Sequence, residues 1–353
     1  MADGARKRRT VLGGLLAGAV LATGLGACAV NGGPFRESYC WGAWQEDSGP
    51  SFLGDEALGE SGSRRRESSQ SPAPSAGRPG ATCTVGVTST GMGRPTTYDA
   101  KVVVDYGPLP EAVEERRAWL AANLHGSKSP LPDGLDGVVS VSGAFLVLPK
   151  ACDVKGRPSV VTLSSVRADG TPGKWTAGTR IGTYEHVTRM LLDVANTGMG
   201  SAGCAPERPL RTASPHVVVA HEDDLRDLPF CRIPGVGFGS EGSWIGVYSQ
   251  QWIGAVTPRL QSCSVMWKIP GARDESTAQY VMAGSPRTAA LFEGLPEGIP
   301  EGLTHVTCQG RRTVFYGHAQ GSLVPGKAAV ERSFTNFVRS VGNRIGCGNG
   351  VRA

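Results

Sequence analysis

Apolar residues recur along this chain in two distinct rhythms. Stretches such as Lys101–Tyr106, Val160–Val166 and Ser262–Lys268 alternate or run apolar over five to seven positions, as strands do. Thr304–Cys308 and Thr313–Gly317 read the same way, and Val138–Leu148 reads as a strand or a strand pair. Other stretches repeat every three to four residues. Pro110–Leu124 opens on proline, carries Glu111, Glu114 and Glu115 early and stops at Gly126; Val113, Leu120 and Leu124 would face a core. Two further helices, Tyr184–Thr197 and Ala328–Ile345, each run up to a Gly-Cys pair. Counted back from those cysteines, apolar residues fall at the same offsets: Val187, Leu191 and Val194 in one, Val330, Phe334 and Phe337 in the other. Thr277–Gly284 is ambiguous between strand and helix, and Met282–Gly294 allows only a short helical turn. Strands and helices mix without a βαβ rhythm, which predicts an α+β fold.

The cysteines extend this correspondence. There are nine. Setting Cys28 aside leaves Cys40, Cys83, Cys152, Cys204, Cys231, Cys263, Cys308 and Cys347, which split into four and four. Cys83 and Cys263 open similar strands, Cys152 and Cys308 each precede a polar turn and a strand, and Cys204 and Cys347 close the two helices. The pattern predicts two tandem disulfide-stapled modules, each a mostly antiparallel sheet with packed helices. Each module allows three pairings; joining first with second and third with fourth links neighbouring elements. The expected boundaries are 36–204 and 229–350, with a linker over 205–228. Within the first module half of residues 45–80 are Gly, Ser or Pro, which predicts a mobile loop carrying the basic run Arg64–Arg66.

Residues 1–30 are of a different kind. Arg6–Arg9 are basic, and Val11–Val30 contain no charge. This is an export signal or anchor. Leu25-Gly26-Ala27-Cys28 fits a lipobox, with Cys28 as the lipidated residue; an uncleaved single helix and simple cleavage are the alternatives. Each puts the rest of the chain outside the cytoplasm, on the outer face of the cell membrane in the first two. The formal charge of +5 also belongs mostly to this segment: beyond residue 27, 32 basic groups face 30 acidic ones. A near-neutral chain offers no basic stripe for nucleic acid.

Chemistry is sparse. The sequence contains no G-x-S-x-G elbow, S-x-x-K motif, H-E-x-x-H helix or C-x-x-C pair. The one dense metal-capable cluster is His221-Glu222-Asp223-Asp224, with His216 nearby. An acidic turn between modules is the plainer account of those residues, and no cofactor is implied. Trp41 and Trp44 follow the first cysteine of one module, Trp244 and Trp252 that of the other, as core anchors or as a stacking platform.

The motif LGAC and the segments YCWGAWQEDSGPSFLGDEA and NFVRSVGNRIGC resemble an uncharacterised family of streptomycete envelope proteins. That resemblance implies an extracytoplasmic setting and no particular activity. Cysteine-bearing α+β repeats behind a lipobox are also similar to small actinobacterial lipoproteins that act as sensors or binding modules. The expectation is therefore an envelope-tethered, non-catalytic binding or sensing protein whose partner is an envelope protein or cell-wall polymer. The alternatives are a wall-active or metal-dependent hydrolase built around His221, and an envelope assembly factor.

Overall fold

The computed structural model describes residues 38–45, 48–53, 64–89, 100–126, 128–168, 175–216, 222–223, 229–238, 248–268, 275–324 and 326–347. The export segment, with Cys28, lies outside them. No helix among the described residues is long and apolar enough to cross a membrane.

The chain is α+β, with sheets dominant and every strand pairing antiparallel. The described residues open with a two-stranded ribbon, β1 (Ser38–Tyr39) and β2 (Trp44–Gln45). Next come β3 (Arg64–Gln70), β4 (Ala81–Ser89), β5 (Ala100–Pro108), α1 (Val113–Leu124), β6 (Ser129–Pro130), β7 (Gly137–Ser140), β8 (Gly143–Val147), β9 (Ser159–Ala168), β10 (Trp175–Ala177) and α2 (Tyr184–Ala202). After a bridge follow β11 (Glu222–Asp223), β12 (Tyr248–Val256), β13 (Leu260–Lys268), β14 (Glu275–Ala283), α3 (Pro286–Ala289), β15 (Leu303–Cys308), β16 (Arg311–Gln320) and α4 (Lys327–Arg344). The first sheet runs β3-β4-β5-β9-β8-β7-β6, with β10 beside β9, and the second runs β11-β12-β13-β14-β16-β15. The order β3-β4-β5-β9-β8 in one half is thus matched by β12-β13-β14-β16-β15 in the other.

The disulfides are Cys40–Cys83, Cys152–Cys204, Cys231–Cys263 and Cys308–Cys347. Each half therefore closes first with second and third with fourth. Local backbone repeats too. Cys40 and Cys231 both adopt left-handed φ, 50° and 48°. Gly203 and Gly346, with φ of 74° and 72°, end the two long helices and turn the chain into Cys204 and Cys347. A side chain there would be strained, which is why glycine precedes both cysteines.

Each long helix covers one face of its sheet. Val187, Met190, Leu191 and Val194 of α2 pack on Val85, Val102, Val104 and Leu163. Phe334, Phe337 and Val341 of α4 pack on Cys263, Val265, Tyr280 and Phe315. The opposite faces meet in a third cluster. There Leu109, Leu120, Leu124, Phe145 and Val160 of the first half pack with Leu260, Val281, Phe292, Val314 and Tyr316 of the second. Because of this shared seam, residues 38–353 form one compact unit, and the boundary expected at 205–228 does not separate two bodies. The bridge itself is fastened down. Asn196 on α2 donates to and accepts from the Leu210 backbone, at 2.9 and 2.8 Å.

One expectation needs correction, and one ambiguity is resolved. Residues 64–70, assigned by composition to a mobile loop, form β3, with Gln70 opposite Cys83. Arg66 Nε donates to Leu53 O at 2.9 Å. Backbone pairing along β4 holds this polar segment where apolar burial could not. Of Thr277–Gly284, which the sequence leaves open between strand and helix, Thr277 to Ala283 belong to strand β14.

Lys128, just past α1, donates from Nζ to Asn123 O at 2.6 Å, and burial lowers its pKa to about 8 from an ordinary 10.5. The unfolded chain therefore binds more protons than the folded one between these values, so stability should rise with pH from about 8 towards 10. Above pH 10 the trend should reverse, because burial pushes Tyr106 and Tyr316 up to about 12 and only the unfolded chain ionises them. Urea midpoints at successive pH values check this. Lys128→Met should flatten the rise below pH 10 and leave the fall above it.

Candidate functional site

A cleft of about 400 Å³ opens where the two halves meet. One wall is the turn between β6 and β7. Pro132 fixes its own φ, and Asp133 and Gly134 follow at left-handed φ of 55° and 73°. This turn presents Pro130, Leu131, Pro132 and Leu135 to the cleft. The other wall is the turn between β12 and β13, Thr257 to Leu260. Thr257 Oγ1 accepts from the backbone N–H groups of Arg259 and Leu260, at 3.2 and 3.0 Å, which holds the turn closed. Pro215 of the bridge, Thr288 of α3 and Arg311 of β16 complete the lining.

Polar contacts lock the walls together. Arg259 Nη2 donates to Gly134 O at 2.8 Å and pairs with Asp136 Oδ1 at 2.9 Å. Asp136 also accepts from Ser285 Oγ at 2.5 Å, while Ser285 Oγ caps α3 by accepting from Thr288 N at 3.1 Å. Asp136 is thus a carboxylate from the first half whose two partners both come from the second. Asp133 secures the bridge: its carboxylate accepts from Ala213 N, Ser214 N and the Ser214 hydroxyl. The Ser214 hydroxyl first, then these two N–H groups, hold its pKa below the usual carboxylate range. Behind the cleft, Arg287 forks onto Asp153 at 2.8 and 2.6 Å and reaches Leu148 O. The half-to-half geometry is therefore fixed on two sides by charge-assisted bonds. The cleft's size falls in the range of small-molecule sites, and its walls have the expected apolar character.

No family model matches this chain, and no curated protein or solved structure matches it either. The site must be read from its own chemistry.

Of the metal candidates, His216 is well placed to judge. Its side chain is 3% exposed; Nε2 lies 2.7 Å from Thr188 Oγ1, and Nδ1 lies 3.7 Å from Glu185 Oε1. This hydroxyl–imidazole–carboxylate order is that of a nucleophilic triad. However, Thr188 is fully buried within α2, so no substrate reaches its hydroxyl. The array instead pins the end of the bridge to α2. His221 and Asp224 lie outside the described residues, and Asp223 pairs opposite Gln250 in β11. Among the described residues no group of three or more His, Cys, Asp or Glu could hold a metal ion.

The tryptophans divide by position. Trp44 is fully buried, with Nε1 donating to Met190 O at 3.1 Å, and is a core anchor. Trp41 donates to Ser71 O at 2.9 Å. Trp252 meets His125 edge-on at 4.8 Å, and Trp244 lies outside the described residues. None of the described Trp41, Trp44 and Trp252 lines the cleft.

The cleft residues escaped sequence reasoning. Asp136 and Arg259 are 123 positions apart. The Pro-Asp-Gly and Thr-Pro-Arg turns are visible as turns, but nothing in the sequence says that they face each other.

Proposed function

We propose that this chain is an extracytoplasmic protein, tethered to the cell envelope by its N-terminal segment, that acts as a non-catalytic binding or sensing protein with the seam cleft as its ligand site. The cleft carries this reading. It has apolar walls, a few converging polar groups and a frame made rigid by links between the halves. Four disulfides fit an oxidising compartment. The matched strand order, cysteine positions and left-handed turns support descent of the two halves from one duplicated module. Lipidation of Cys28 is the tether favoured by the LGAC motif.

Two measurements test the reading. Hydrogen exchange on the full chain, with and without a lipid and wall extract of its native envelope, should show protection at 130–137 and 257–260. Protection only elsewhere, or turnover of an envelope substrate that one substitution abolishes, overturns the binding reading. Separately, Cys28→Ala should move the protein from the membrane fraction to the soluble fraction. Continued membrane retention would replace the lipid with an uncleaved helix.

A further inference from the structure

The charges lining the cleft do not balance. Asp136 is the only lining carboxylate among the described residues, and Arg259 together with the Ser285 hydroxyl already occupies it. The Arg259 side chain makes both of its hydrogen bonds through Nη2, leaving Nη1 and Nε without a protein acceptor among the described residues. Arg311 also lines the cleft, is exposed, and makes no ion pair among the described residues. Two arginines thus line one small volume whose apolar lining is Leu131, Leu135, Leu260 and four prolines. Guanidinium forks match planar or tetrahedral oxyanions, by bidentate bonds that a lone ammonium cannot make. The apolar walls contribute by removing a hydrocarbon body from water.

Accepting that the cleft is a binding site, the geometry points to a ligand class: a small amphipathic anion, with its carboxylate or phosphate against Arg259 and Arg311 and its apolar body on the leucine and proline walls. Asp136 contributes indirectly. By holding Arg259 across the seam it aims the free edge of that guanidinium, and it disfavours cationic ligands.

Calorimetric titration of the full chain with four water-soluble probes of one shape tests this. The probes are 4-phenylbutyrate, 3-phenylpropylphosphonate, 4-phenylbutanol and 4-phenylbutylamine. At least one of the two anions should bind about tenfold or more tightly than the alcohol, and the amine should bind worst. The stronger anion identifies carboxylate or phosphate as the natural group. Arg311→Gln should weaken the anion about tenfold, roughly 1.4 kcal/mol, and leave the alcohol unchanged. Thr257→Trp, which fills the cleft, should abolish binding of every probe; circular dichroism confirms that this variant is folded. If the alcohol binds as well as the anions, or Arg311→Gln has no effect, the anion inference fails and the cleft remains a site. If no probe binds, or binding survives in folded Thr257→Trp, the cleft reading itself fails.

Discussion

Replacing Cys152 and Cys204 together by alanine should cost about 4 kcal/mol of stability, read as a lower denaturant midpoint. The bond closes a loop spanning 52 residues, and restoring that freedom to the unfolded chain accounts for the loss in the chain-entropy model. The slope of unfolding free energy against denaturant should rise as well, because an uncrosslinked chain exposes more surface when it unfolds. The same change at Cys40 and Cys83, separated by 43 residues, makes the model itself testable. Loop length enters only as a logarithm, so the two losses should agree to within about 0.5 kcal/mol. A much larger loss at Cys152–Cys204 would show that native packing dominates there. Cys40, Cys83 and Cys152 all sit within the first helix-sheet core, and Cys204 packs against it with Sγ 3.7 Å from the Tyr106 hydroxyl.

What the sequence discloses follows from which faces are buried. Helices α2 and α4 are legible because one stripe of each packs on a sheet and the other stays wet. β3 is illegible for the opposite reason. Its residues from Ser68 to Gln70 are all exposed, so backbone bonds to β4 define it and no alternation marks it. β8 carries a signal that a two-module reading passes over. All five residues from Gly143 to Val147 are buried, which means that both faces of that strand are covered. A module with a helix on one face and solvent on the other has no use for such a run. The run announces a second layer, and the seam with the other half supplies it. The cleft has no equivalent signal. Its ion pair joins two turn residues whose neighbours are chosen for turn geometry, and only the packing of the seam brings them together.

That dependence makes Phe145 the most informative core residue. It is fully buried in the seam, and its ring meets Trp119 edge-on at 5.4 Å. Phe145→Ala should cost about 3–5 kcal/mol through lost transfer energy and the cavity left behind. Phe334→Ala, in the core beneath α4, should cost a similar amount. The two variants should part company at the cleft. β8 holds the neighbouring turn through Val147 N donating to Asp136 O at 2.7 Å and through Gly137 opposite Leu146. Loosening β8 therefore loosens the carboxylate that Arg259 and Ser285 grip. Hydrogen exchange at residues 130–137 should accelerate in Phe145→Ala beyond what its lower global stability explains, and in Phe334→Ala it should not. Native protein should also unfold in one transition, since the seam draws its side chains from both halves. Two resolved transitions, or equal exchange in the two variants at matched stability, would show that the halves stand independently and that the cleft is not framed by their contact.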